Sequence, residues 1–132
     1  MDVYISSEAG ESLKALALSG TLSEGMLVGH KRGHDFIIEQ VFSYPNALSM
    51  TDKKFAQINQ HFDQRVIGFY TYSTEQKEES KISVPFAVGK IFLRVKTNKA
   101  KGLFLDPYFI DYDQTFCLKK IGIHALNRDA KK

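Results

Sequence analysis

The side chains of this sequence that could perform chemistry are four histidines, one cysteine and a few carboxylates and hydroxyls set among apolar runs. His30 and His34 are four residues apart, a spacing that on a helix turns two imidazoles toward one metal ion. Gly33 and the apolar runs on either side read instead as two strands joined by a turn, so the pair straddles a solvated turn. His61 stands at the end of an expected helix, where a positive charge is mildly favourable. His124 falls in the last expected strand, and both read as structural. Cys117 lies between Phe116 and Leu118 in an alternating strand and reads as a small packed or outward residue, since a thiol nucleophile needs a histidine partner and access. Glu24, Glu39 and Asp106 are candidate acids or bases, with the Thr71 and Ser73 hydroxyls as candidate substrate-orienting groups. No spacing among them is one that proton-transfer chemistry demands.

The elements that must position these groups fit one domain. The chain has 132 residues, 43% of them hydrophobic and 25% charged, enough for one packed core. A single cysteine excludes internal disulfides and zinc sites of the paired-cysteine kind, and makes a reducing, cytoplasmic setting the expectation. No signal-peptide pattern and no long apolar run is present, so neither export nor a membrane span is expected. The net charge of +3 is small, and the Lys53-Lys54, Lys119-Lys120 and Lys131-Lys132 pairs are scattered. A nucleic-acid binder concentrates such charge on one face with aromatics between, so no nucleic-acid partner is expected. Residues 1–126 are assigned to the domain and 127–132 to a frayed basic tail.

Ser6-Ser7 offers a cap to a helix carrying Ala9, Leu13, Leu16 and Ala17 on one stripe, with Gly20 placed to end it. Met26–His30 and Phe36–Phe42 form a hairpin around the turn Lys31–Asp35, the second strand covered on both faces or bulged near its end. Thr51 or Asp52 caps a second helix with Phe55, Ile58 and Phe62 on one face, ending near Asp63. Val66–Tyr72 is apolar on both parities, as an interior strand should be. The charged stretch Ser73–Lys81 reads as a loop or short exposed helix. Lys90–Lys96 alternates with Ile91, Leu93 and Val95 inward, a turn spans Asn98–Gly102, and strands follow at Leu103–Leu105 and from Phe109 toward Tyr112. Thr115–Ile123 closes the fold, with Lys119-Lys120 marking a bulge or an edge. The expectation is an α/β (α+β) domain, a single mixed sheet with flanking helices in the order helix, hairpin, helix, strands.

This order, with two local sequences, resembles the JAB/MPN domain, the fold of the JAMM zinc isopeptidases. Ile5-Ser6-Ser7-Glu8-Ala9 opens a helix, and Gly25-Met26-Leu27-Val28-Gly29 looks like the family's Gly-x-Leu-x-Gly strand. Val66-Ile67-Gly68-Phe69-Tyr70 looks like the segment that leads into the family's His-x-His ligands. The resemblance implies that an active member holds Zn²⁺ with two His and one Asp and uses a Glu as general base on the bound water. Here the ligand positions carry Thr71 and Ser73, whose hydroxyls do not replace imidazole on zinc. The downstream Ser and Asp positions fall near Lys81 and Val84. The general-base position falls on Leu22, and Glu24, two residues on, is displaced by roughly 6 to 7 Å along an extended chain.

The resemblance therefore implies a pseudoenzyme, with no metal, no cofactor and no catalytic residues, that acts as a scaffold for a protein partner or as a homodimer. Glu24, Tyr70, Thr71, Tyr72 and Ser73, around the vestigial site, are the candidate partner-binding residues. Tyrosines suit that role because each buries apolar area and keeps a hydrogen-bonding tip. Two alternatives from other classes are a small-ligand-binding domain and an enzyme with non-metal chemistry in the same cleft.

Overall fold

Alternation sets most of this fold, and the hairpin at its centre follows the sequence closely. In the computed structural model, which describes residues 1–18, 24–44, 47, 50–72, 85–98, 102–113 and 115–125, the hairpin is formed by β2 (Glu24–Arg32) and β3 (Asp35–Ser43). Gly33, at φ 62°, supplies the left-handed turn between them. The pairing register shifts between Val28 and Gly29, so β3 is bulged near Glu39.

The chain does not open on a helix as expected. Strand β1 (Asp2–Ile5) precedes α1 (Ser7–Leu18) and buries Val3 and Ile5, running parallel to β3 on one side. Four residues are too few for alternation to announce a strand. The Ser6 hydroxyl caps α1 by accepting from the Ala9 amide at 3.1 Å and ties it to β3 by donating to the Glu39 carbonyl. Gly20, read as the stop of that helix, lies outside the described residues. Thr51 caps α2 (Asp52–His61) in the same way through the Lys54 amide. Beyond α2, Asp63 and Gln64 both adopt left-handed backbone, and Asn59 accepts from the Val66 amide, which turns the chain directly into β4 (Val66–Tyr72).

A short 3-10 turn (Pro85–Ala87) leads to β5 (Ile91–Asn98), β6 (Gly102–Asp113), β7 (Thr115–Lys120) and β8 (Gly122–Ala125). Two expectations are corrected here. Leu103–Leu105 and Phe109–Tyr112 are one strand that runs through Pro107, and Thr115–Ile123 is two strands broken at Ile121. Pro107 lies just beyond the last β6–β7 pair, Tyr108 with Lys120, so its missing N–H falls where β7 departs.

The sheet order is β7-β6-β5-β4-β2-β3-β1-β8, with β4 parallel to β5 and β1 parallel to both β3 and β8. The strands at its two edges are joined through Ile121, whose amide donates to the Pro107 carbonyl on β6. This mixed sheet is thereby nearly closed into a barrel. One core cluster lies on the α1 side, with Leu13, Leu27, Ile38, Tyr70 and Leu93. The other lies under α2, with Met26, Phe55, Phe69 and Phe92. Among the described residues no helix is long and apolar enough to cross a membrane.

Candidate functional site

Four residues from four adjacent strands line up across the sheet. Glu24 on β2 pairs with Thr71 on β4, Thr71 with Arg94 on β5, and Arg94 with Asp106 on β6. The neighbouring register line is Met26, Phe69, Phe92 and Tyr108, two residues along each strand and all in the cluster under α2. Side chains repeat on one face every second residue, so the polar row shares that face and lies immediately beside an apolar one. Helix α2 and the 3-10 turn supply Phe55 and Phe86 to this side, with Phe55 and Phe86 stacked at 4.5 Å.

Burial within the row is uneven. Arg94 is 1% exposed and Thr71 7%, while Glu24 is half-buried. The Arg94 guanidinium carbon lies 5.3 Å from the centre of the Tyr108 ring, a cation–π contact out of water. Asp106 accepts from Lys96 at 3.2 Å and lies 3.8 Å from Lys120. Those two pairs are partly solvated, so they orient the carboxylate more than they stabilise the fold.

Tyr70 and Tyr72 point the other way, into the α1 side. Tyr70 is 1% exposed and opposite Gly25. A Cβ at Gly25 would come within 2.6 Å of the Tyr70 ring and 2.0 Å of the Phe42 carbonyl oxygen, so only glycine fits. Burial raises the Tyr70 phenol above the ordinary tyrosine range, with the Ser43 side chain acting in the opposite sense. Tyr72 donates its hydroxyl to the Leu13 carbonyl of α1 and packs edge-on to Tyr70 at 5.9 Å. Its phenol is raised further, by burial first and by Tyr70 second. Of the sequence candidates, then, Glu24 and Thr71 meet on one face and the two tyrosines pack on the other. Ser73, and the positions near Lys81 and Val84, lie outside the described residues.

The other candidates are dispersed. Glu39 is at the β3 bulge, where its Oε1 is 3.0 Å from His30 Nδ1 and accepts from Arg65 at 2.6 Å. The His30 hydrogen bond leads in holding its carboxyl below the usual range, with Arg65 adding a hydrogen bond and a charge against the opposing effect of burial. His34 sits exposed in the hairpin turn, His61 ends α2, and His124 contacts Asp2 at 3.2 Å. Cys117 is half-buried on β7 opposite Asp111. Among the described residues no group of three His, Cys, Asp or Glu is arranged to hold a metal ion.

Sequence reasoning missed two features. Alternation on β5 turns Arg94 away from Ile91, Leu93 and Val95, and so suggested an outward charge. Both faces of β5 are covered, and the signal was a lone charge inside an otherwise apolar run. The second is Phe42, 37% exposed, which stands between two shallow grooves. One, of about 340 Å³, lies against α2 with Met26, Ile58, His61 and Phe62. The other, of about 400 Å³, lies against α1 with Ser12, Ala15, Leu16 and Val41.

No known protein family and no curated protein matches the sequence. Among solved structures the chain is similar to the solution structure of protein DSY2949 from Desulfitobacterium hafniense, with 13% identity, coverage of 98% of each chain and a TM-score of 0.63. At that identity the likeness is one of fold.

Proposed function

We propose that this chain is a non-catalytic MPN-like domain, a cytoplasmic pseudoenzyme that works by binding a protein partner or a second copy of itself. The observation that carries the reading is the row Glu24, Thr71, Arg94, Asp106. At the position where the resemblance implies the first imidazole ligand, this row has a buried hydroxyl beside a buried guanidinium. The donors do not fit zinc: a neutral threonine hydroxyl is a poor ligand, and arginine offers donors only. The carboxylates of this row, Glu24 and Asp106, are separated by two intervening strands.

Binding through the candidate tyrosines themselves is disfavoured by their packing, since Tyr70 is enclosed and Tyr72 is bonded to α1. The accessible apolar surface nearby is that of Phe42 and its two grooves, which adjoin the same strands through Met26 and Ser43. Apolar surface of this kind supports an interaction role. Size-exclusion chromatography with light scattering, together with pull-downs, tests it. Self-association or a specific partner is expected, weakened by Phe42→Asp, and a strictly monomeric chain that retrieves no partner would overturn the reading.

The groove between α2 and the hairpin favours a second reading, binding of a small apolar ligand, because its volume lies in the range of small-molecule sites and Gln57 and His61 line it beside apolar groups. A saturable rise in melting temperature with one compound of a metabolite screen, lost in Ile58→Asp, would support it.

A further inference from the structure

We infer that the side of β5, β6 and β7 that faces α2 binds single-stranded nucleic acid, with bases stacked on the rings of β6 and phosphates met by Lys96 and Lys120. This surface shares no lining residue with the Phe42 grooves and owes nothing to the MPN-like reading. Alternation places Phe104, Asp106, Tyr108, Ile110 and Tyr112 on one side of β6, and the packing of Tyr108 and Ile110 in the cluster under α2 fixes which side. Phe104 is 44% exposed and Tyr112 53%, and Tyr108 stands half-buried between them with its ring against the Arg94 guanidinium. The three rings recur at every fourth residue, roughly 13 Å apart along the strand. Lys96 pairs across the sheet with Phe104, and Lys120 with Tyr108, so a cation stands beside each of the first two rings. Both ammonium groups approach one carboxylate, Asp106, at 3.2 and 3.8 Å, which places them on this same side.

Among the described residues on this side of the three strands, Asp106 is the only carboxylate, against Lys96, Lys120 and the buried Arg94. Lys90 adds a further cation at the margin, over the Phe55 ring. The surplus of positive charge attracts a polyanion. Along the chain these cations are scattered, and only the pairing of β5, β6 and β7 gathers them. An acidic peptide would answer the lysines but not the spaced rings, and an apolar partner would answer the rings but leave the lysines against it. A single strand brings phosphates and unpaired base faces together, whereas a duplex hides its base faces in the stack.

Fluorescence anisotropy of the full chain with labelled oligothymidylate and oligouridylate of about twelve nucleotides, and with a duplex of the same length, is the test. In low salt the single strands should bind with a Kd of about 100 μM or tighter, and more tightly than the duplex. Log affinity should fall with log salt, each lysine contributing about 0.7 to the slope. Lys96→Gln with Lys120→Gln should therefore flatten that dependence. Lys96→Arg with Lys120→Arg should leave it unchanged, as should Lys14→Gln at an exposed position on α1. Phe104→Ala and Tyr112→Ala should each weaken binding about fivefold or more at fixed salt. Phe104→Leu and Tyr112→Leu keep apolar bulk without a flat ring and should also weaken it, with melting curves to show that each variant folds. Failure of both single strands to bind at about 100 μM overturns the inference. Binding undiminished in the folded ring variants does so too, since charge alone would then hold the strand. Equal affinity for the duplex or for polyglutamate likewise overturns it, in favour of double-stranded nucleic acid or an acidic protein.

Discussion

Thr71 and Tyr72 are adjacent in sequence and serve opposite faces of the same strand. Thr71 joins the polar row under α2, while Tyr72 fastens β4 to α1 through the Leu13 carbonyl. Tyr72→Phe keeps the ring and loses that bond, so it should destabilise the fold by about 1 kcal/mol, read from urea unfolding midpoints. At the β3 bulge, Glu39 links His30 to Arg65. Its carboxyl is lowered in the folded state, so the stability it contributes is complete above the unfolded value of about 4.3 and is lost as pH falls through the lower folded value. Glu39→Gln should therefore flatten the acid limb of the stability curve below about pH 4.3 relative to the native chain, measured by thermal melts across pH. A limb unchanged by the substitution would show that the cluster is not coupled to folding. These roles were only half legible. The sequence marks Glu39 as a carboxylate of interest, but nothing local ties it to Arg65, which arrives from beyond α2.

Among the elements, β4 was the most readable and the most constrained. Its run is apolar on both parities because α1 and α2 cover both faces, and its Gly68 marks a close approach. A Cβ there would lie 2.4 Å from the Ile91 carbonyl oxygen of β5, a backbone atom that cannot swing aside. Gly68→Ala should cost about 1 to 3 kcal/mol by overpacking the β4–β5 pair, seen as a lowered urea midpoint with an unchanged slope. The hairpin, α2 and its Thr51 cap were equally legible, since each rests on residues close in sequence. Strand β1, the unbroken passage of β6 through Pro107 and the break at Ile121 were not. All three depend on partners far along the chain: β3 and β8 for β1, and the Ile121 amide for the Pro107 carbonyl. A proline reads locally as a stop, and only the departure of β7 beside it explains why the strand continues.

At the scale of the molecule, the strand order places β2, β4, β5 and β6 side by side and so assembles Glu24, Thr71, Arg94 and Asp106 from segments more than eighty residues apart. That positions 71 and 73 carry hydroxyls could be read from the chain, but the burial of the Arg94 guanidinium beside Thr71 could not. Phe42 is the corresponding surface feature: its ring packs on Phe62 at 4.7 Å, so Phe42→Asp should lower the melting temperature modestly as well as weaken any self-association seen by light scattering. The chain is proposed to be an MPN-like domain that works without a metal. Calorimetric titration of the purified, chelator-stripped chain with zinc tests it most directly, paired with an assay for cleavage of a ubiquitin-like chain. No stoichiometric binding and no cleavage are expected. One zinc bound per chain, with cleavage that disappears in Glu24→Gln, would contradict it.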